Sequence, residues 1–277
     1  TAVGYQAGYS INSTDANRTT LVGYTAGRSL TSGQGNVAVG SEALRTEDTG
    51  DFNTAIGHQA LYTQNRDGTV NNTAVGYKAG YAVTTAFDTT LVGSNAGVSI
   101  TDGSGNTAIG SNVMDNMTTG DFNTAVGVQA LSQEDVGRGT TAIGYQALYN
   151  QNSDSNDEET GNVAVGKSAG YGVTTGTSNT LLGRSAGASI TTGIENVRIG
   201  SYAGNANNES YLVIIGSSAG QYSGNASVHI GRLAGRFMGG IHNVSIGYHA
   251  GAWNTNSQDA NGSYNTFVGS QAGTSAT

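Results

Sequence analysis

A nine-residue phrase recurs from one end of this chain to the other. It reads NTAVGYKAG at 72–80 and returns as NTAIGHQAL (53–61), NTAIGSNVM (106–114), NTAVGVQAL (123–131) and NVAVGKSAG (162–170). The copies align on the glycine that follows the β-branched residues, here called the anchor glycine; sixteen copies fit into 277 residues, most often 17 apart. A unit this short cannot bury its own apolar side chains. The repeat therefore predicts stacked coils that share one core.

Three columns precede the anchor glycine. The outer two hold Thr or Val and then Val or Ile, with Leu182 as the exception, and the middle column holds Ala or Leu in the first eleven copies. Positions two apart on a strand face the same side, and β-branched residues favour strands. We therefore predict that the two β-branched columns form the core. The middle column, which accepts Arg198 and His229 in later copies, is predicted to point outward.

Three further columns predict the corners of a coil. The anchor glycine indicates a backbone angle or a close approach that a Cβ would forbid. Three residues later comes Ala in fifteen copies and Val113 in the other, which predicts a tight inner corner. Asn stands four residues before the glycine in ten copies and predicts a turn residue or a stacked ladder. Together the columns predict an all-β fold, a β-solenoid of about sixteen coils with a 17-residue period.

Composition narrows the class of protein further. The chain has 44 glycines, no proline and no cysteine, and its net charge is −8. Missing cysteine excludes disulfides, thiolate metal sites and a cysteine nucleophile, and the negative charge argues against nucleic acid as a partner. No apolar run approaches the ~18 residues of a membrane span, so we expect no membrane insertion.

The phrase N-[TV]-A-[VI]-G-x-x-A-[LG] resembles the head repeats of trimeric autotransporter adhesins of the YadA-like kind. It is also similar to the NTAIGYQAL repeats of phage tail-fibre proteins, and residues 141–148 read TAIGYQAL. The resemblance implies a left-handed parallel β-roll in which three chains form one rod. It further implies attachment to a host or surface, on a virion or cell surface outside the cell, without catalysis or cofactor. Adhesin repeats are shorter than these, so these coils carry longer turns.

The middle column bears on oligomeric state and domain organisation. Its Ala and Leu residues predict an outward apolar stripe along residues 1–190. A stripe of that length is too large to remain exposed to solvent. We therefore predict a homotrimer for that region; a single-chain coil with a flattened interior is the alternative. Residues 1–190 form the regular solenoid repeats, and 191–277 form variant repeats with a longer final loop, within a single continuous rod.

Two loops and one tyrosine pair are candidate sites. Asp154, Asp157 and Glu159 lie in the acidic loop 150–162 and could bind calcium through carboxylate oxygens, although a solvated acidic loop has the same composition. Trp253, on the long turn 248–265, could stack on a sugar or cover the coil edge.

The tyrosine pair is Tyr5 and Tyr24, which fall on adjacent coils and could bind a glycan as a stacked patch. Ring stacking alone would also stabilise the sheet. We predict no catalytic residue and no enzyme, because no Ser–His–acid set, carboxylate pair in a cleft or phosphate-binding glycine motif is evident.

Three functions follow from these observations. The first is a structural attachment fibre, a phage tail fibre or bacterial surface adhesin, that contacts a host surface glycan or receptor. The alternative is a self-polymerising extracellular filament that grows head to tail, because neither end shows a capping element. The third is an ice-binding solenoid, which needs outward Thr columns and therefore conflicts with the predicted strand orientation.

Overall fold

The structure, a computed structural model, describes residues 1–12, 17–155, 158–206, 208–252 and 262–274. Within these ranges there are eighteen short strands and no helix. The strands are β1 (Ala2–Val3), β2 (Thr20–Val22), β3 (Val37–Val39), β4 (Gly50–Asp51), β5 (Thr54–Ile56), β6 (Gly68–Thr69), β7 (Thr73–Val75), β8 (Thr90–Val92), β9 (Thr107–Ile109), β10 (Thr124–Val126), β11 (Thr141–Ile143), β12 (Val163–Val165), β13 (Thr180–Leu182), β14 (Val197–Ile199), β15 (Val213–Ile215), β16 (Val228–Ile230), β17 (Val244–Ile246) and β18 (Thr266–Val268).

Within β1 to β10, and again within β11 to β18, each copy of the phrase forms a strand that pairs in parallel with the strand of the next copy. Thr124 of β10 lies opposite Thr107 of β9, and Val126 lies opposite Ile109, so every column stays in register. β4 and β6 form a separate parallel pair. The fold is thus all-β, a parallel β-solenoid of about fourteen turns, and the predicted solenoid architecture is confirmed.

The chain divides into two compact units. The first comprises Thr1–Gly139 with Ser155–Glu158, and the second comprises Thr140–Asp154 with Glu159–Thr277. The first unit contains the phrase strands β1 to β10, and the second contains β11 to β18. This division does not coincide with the boundary at residue 190, which follows only the composition of the middle column.

The predicted orientation of the strands is wrong. Ala108, in the middle of β9, is fully buried, whereas Ile109 beside it is 39% exposed. The same order holds for the phrase strands from β2 to β17: the middle residue is buried in the coil, and the residues of the two outer columns are at least partly exposed. A three-residue strand on a narrow coil turns only its central side chain inward. The stripe predicted to lie outside on residues 1–190 is therefore the core.

Two columns share the space inside each coil. The residue four after the anchor glycine, here called the opposite column, is Leu or Met only in copies whose middle residue is Ala. Where the middle residue is large, the opposite residue is Gly: a Cβ on Gly97 would lie 2.9 Å from Leu91 Cδ2. The two columns together therefore supply at most one large side chain per coil, and the coil of Ala74 and Gly80 receives none from either column.

The anchor glycines have the properties that the sequence predicts. Gly93 has a φ of +137°, and a Cβ there would lie 2.2 Å from the carbonyl oxygen of Gly110 on the next coil. The column combines an angle that only glycine adopts readily with a contact that excludes any side chain. The Ala column is buried, as at Ala96 and Ala130, which confirms the inner corner.

The asparagine column forms a buried ladder between coils. Asn106 Nδ2 donates to the carbonyl oxygen of Gly120 at 2.7 Å, and its Oδ1 accepts from the backbone N–H of Asn123 at 2.8 Å. Asn162 and Asn179 repeat this arrangement in the second unit. Each side chain thus satisfies backbone groups that the short strands leave unpaired.

Candidate functional surfaces

The two outward β-branched columns form what we call the outer sheet face. In the first unit the first column is Thr in every copy except Val37, and in the second unit Val is commoner than Thr. Neither column contains a charged residue. Stacked neighbours cover much of each side chain, yet Ile56 and Ile143 are still 39% and 38% exposed. The outer sheet face is a regular, uncharged and largely apolar surface in each unit.

A second surface lies on the turn that follows the anchor glycine, where aromatic rings from adjacent coils stack. His58 and Tyr77 have ring centroids 5.6 Å apart, and Tyr62 and Tyr81 have centroids 5.1 Å apart, both pairs nearly parallel. Lys78 Nζ lies 5.5 Å from the Tyr77 centroid and 5.3 Å from the Tyr81 centroid. We call these five residues the Lys78 cluster.

The second unit has a counterpart, the Lys167 cluster, made of Tyr145, Tyr149, Lys167 and Tyr171. The rings of Tyr149 and Tyr171 stack with centroids 5.4 Å apart at an angle of 6°. Lys167 Nζ lies 5.7 Å from the Tyr145 centroid. The tyrosines occupy the same repeat positions as those of the Lys78 cluster, one and five residues after an anchor glycine.

The tyrosine pair named from the sequence is stacked in the same way. Tyr5 and Tyr24 have centroids 5.4 Å apart at an interplanar angle of 11°, and both rings are more than half exposed. The stacked patch is therefore present, and its glycan-binding role stays a prediction. Trp253, the other glycan candidate, lies outside the described residues.

The acidic loop is only partly described. Asp154 and Glu159 belong to the described residues, but Asp157 does not. Among the described residues, no group of three or more His, Cys, Asp or Glu side chains could hold a metal ion. The calcium site at Asp154, Asp157 and Glu159 therefore stays a prediction.

Buried carboxylates serve the backbone. Glu47 Oε1 accepts the N–H groups of Asp48 and Gly50 at 2.9 and 2.7 Å, and Glu134 caps the equivalent turn in its own coil. Burial raises the pKa of Glu47 above its ordinary value, and the backbone hydrogen bonds oppose that shift. The side chains of Glu47 and Glu134 are fully buried, and each is hydrogen-bonded to a turn of its own coil.

Arg198 and His229 are core residues that sequence reasoning placed at the surface. Arg198 donates to the carbonyl oxygens of Gly204 and Glu209, and burial lowers its pKa to about 9 while the charge of Glu209 opposes that shift. Neither ring nitrogen of His229 has a hydrogen-bond partner among the described residues, and burial lowers the pKa of His229 to about 4. His229 is therefore neutral at pH 7. Gly204 and Gly235, which lie in the opposite column, were the sequence signal that Arg198 and His229 point into the coil.

The described residues include no helix that is long and apolar enough to cross a membrane. The chain matches no protein-family model and no curated protein sequence.

Proposed function

We propose that this chain is the subunit of a non-enzymatic attachment fibre, displayed on a virion or cell surface, in which three copies pack through their outer sheet faces. The observation that carries the proposal is the outer sheet face itself. It is uncharged in every copy of the phrase, and no other segment among the described residues covers it.

General properties of parallel sheets support an interface at this face. Parallel sheets are usually covered on both sides, and here the coil interior covers only one. Long apolar surfaces on soluble proteins commonly mark contacts with other chains. The resemblance to adhesin and tail-fibre repeats favours three chains and a left-handed coil, and it favours adhesion as the purpose of the assembly.

The interior favours a structural role over a catalytic one. The buried carboxylates Glu47 and Glu134 cap turns, and the buried asparagines bridge coils. The carboxylates thus hold turns within their own coils, and the asparagines join neighbouring coils. A fibre needs a repetitive interior of this kind, because each coil is stabilised mainly by its neighbours.

Native mass measurement of the purified chain tests the assembly. We expect a particle of three chains, and we expect the double variant Val92→Asp/Ile109→Asp to run as one chain, because stacked carboxylates cannot be buried in an apolar interface. The control Asn65→Asp, at an exposed turn position, should keep three chains. Circular dichroism confirms that each variant still folds. A wild-type mass of one chain would overturn the proposal, and a mass that grows without limit would favour the head-to-tail filament.

Ice binding is a second candidate, favoured by one observation. The Thr column faces outward, so the conflict that the predicted orientation created is removed. In the first unit, seven of the eight residues in this column are Thr, at the regular spacing of ~4.8 Å between strands. A trimer would hide this surface. Thermal hysteresis by a one-chain species would favour ice binding, and a three-chain particle without hysteresis would exclude it.

A further inference from the structure

The chain has two lysines, Lys78 and Lys167, and both lie among stacked aromatic rings. Each is placed in a different compact unit, beside a tyrosine one residue after an anchor glycine and near a tyrosine pair five residues after one. Most of the chain's arginines also lie over rings: Arg28, Arg45, Arg66, Arg184, Arg232 and Arg236. The Lys78 cluster combines its cation with two stacked ring pairs, and the Lys167 cluster combines its cation with one, Tyr149 and Tyr171.

The described residues do not pair either lysine with an acidic side chain. Neither Lys78 nor Lys167 has a carboxylate within ion-pair distance among the residues that the structure describes. Arg45, next to the Lys78 cluster, differs because its Nε lies 3.9 Å from a carboxylate oxygen of Glu42. In a chain of net charge −8, each lysine is therefore a local positive charge available to a ligand.

The rings offer a flat apolar surface beside that charge. Tyr77 is 50% exposed and Tyr145 is 46% exposed, although each ring also contacts a lysine. Aromatic faces bind apolar surfaces and their edges interact with polar groups, so they suit the C–H face of a pyranose ring. An ammonium group beside them suits a carboxylate on the same ring through a charge-assisted hydrogen bond.

We propose that the Lys78 and Lys167 clusters are two binding sites for a carboxylated sugar within an acidic polysaccharide, although Lys78 is the second residue after its anchor glycine and Lys167 is the first. In each site a tyrosine carries the pyranose face and the lysine binds its carboxylate. This inference rests on the proposed attachment function and names the class of glycan that the fibre would bind. Because the chain is acidic overall, long-range attraction does not account for binding, and recognition depends on these local contacts.

Calorimetric titration of the full chain with hexagalacturonate tests the proposal, and its neutral methyl ester is the matched control ligand. We expect two sites per chain for the acid, and binding of the ester at least about tenfold weaker, because the ester lacks the charge that pairs with lysine. Equal binding of acid and ester, or no binding of the acid, would overturn the proposal.

Variants assign the sites. Lys78→Gln and Tyr77→Leu should each remove one site, Lys78→Arg should keep it, and Lys78→Gln/Lys167→Gln should remove both. Tyr211→Leu, at a tyrosine that is 52% exposed and outside both clusters, should change nothing. Acid binding that survives in the double lysine variant would contradict the assignment, and unchanged thermal unfolding of each variant separates lost binding from lost structure.

The outcome of the sugar-binding experiment is independent of the outcome of the native mass measurement. A three-chain particle that does not bind the acid would leave the fibre in place and remove only these sites. A single chain that binds the acid would support the sites and contradict the trimer.

Discussion

In many coils, one large buried side chain comes from either the middle column or the opposite column. Leu61 fills the coil of β5 from the opposite column, and Leu91 fills the coil of β8 from the middle column. A methyl group added at Gly97 would collide with Leu91. In these two coils the large side chain comes from different columns, and the other column holds a small residue.

Exchanging the large and the small residue between the two columns of one coil tests whether the two residues share space. Ala55→Leu alone should destabilise the protein by about 2 kcal/mol through overpacking, and Leu61→Gly alone by about 3 kcal/mol through a cavity. The double variant reproduces the natural Leu91 and Gly97 pair, so most of the loss should be recovered. Denaturant unfolding measures the coupling. Additive losses in the double variant would show that the two residues do not share space.

His229 makes stability depend on pH. Burial lowers its pKa to about 4 in the folded chain, while the unfolded value is near 6.5. The unfolded state therefore binds a proton first as the pH falls. Stability is complete above about 6.5 and declines by up to roughly 3 kcal/mol as the pH approaches 4.

His229→Leu should remove this part of the acid dependence, because Leu occupies the same column at Leu91 and Leu181. Unfolding free energies measured between pH 7 and 4 check the expectation. The control His242→Asn changes an exposed histidine and should leave the slope in place. A slope unchanged in His229→Leu would mean that another group causes it.

At the scale of the strand and its turns, the asparagine ladder joins neighbouring coils in the copies that carry Asn. Asn106→Ala removes a side chain that bonds the backbone of Gly120 and Asn123 and leaves buried groups unpaired. We expect a loss of about 3 kcal/mol in unfolding free energy. Asn65→Ala, at an exposed position, should cost less than about 0.5 kcal/mol. Similar losses for the two variants would contradict a ladder role.

Much of the structure of a coil could be predicted from the sequence repeat alone. The columns of anchor glycine, Ala and Asn each have one strong physical constraint, so the solenoid, its corners and its ladder follow from residue type. Strand orientation did not follow, because Arg198 and His229 indicated solvent and β-branched residues indicated a core. A three-residue strand with one inward side chain reverses both inferences. The trade in size between the middle and opposite columns was the signal that identifies the inward residue.

The candidate surfaces were predictable to different degrees. The stacking of Tyr5 on Tyr24 follows from their equal repeat positions, and the Lys78 cluster has the same basis. The position of Lys78 between two rings could not be predicted from the sequence. It depends on the left-handed backbone at Lys78, whose φ is +52°. Positions with such angles redirect side chains in ways that strand alternation does not describe.

For the whole molecule, the central claim is that the outer sheet face joins copies of the chain. The chain has no cysteine, so one introduced thiol reports on one position. Ile109 lies on this face and is 39% exposed, while Ala108 beside it is fully buried. The pair therefore separates the outer sheet face from the coil interior within a single strand.

Oxidative cross-linking of Ile109→Cys is the most direct measurement of that claim. We predict covalently linked pairs of chains from Ile109→Cys, because the thiols of packed chains meet at the interface, and no linkage or thiol labelling from folded Ala108→Cys. An Ile109→Cys chain that stays single under oxidation and reacts freely with maleimide would contradict the account.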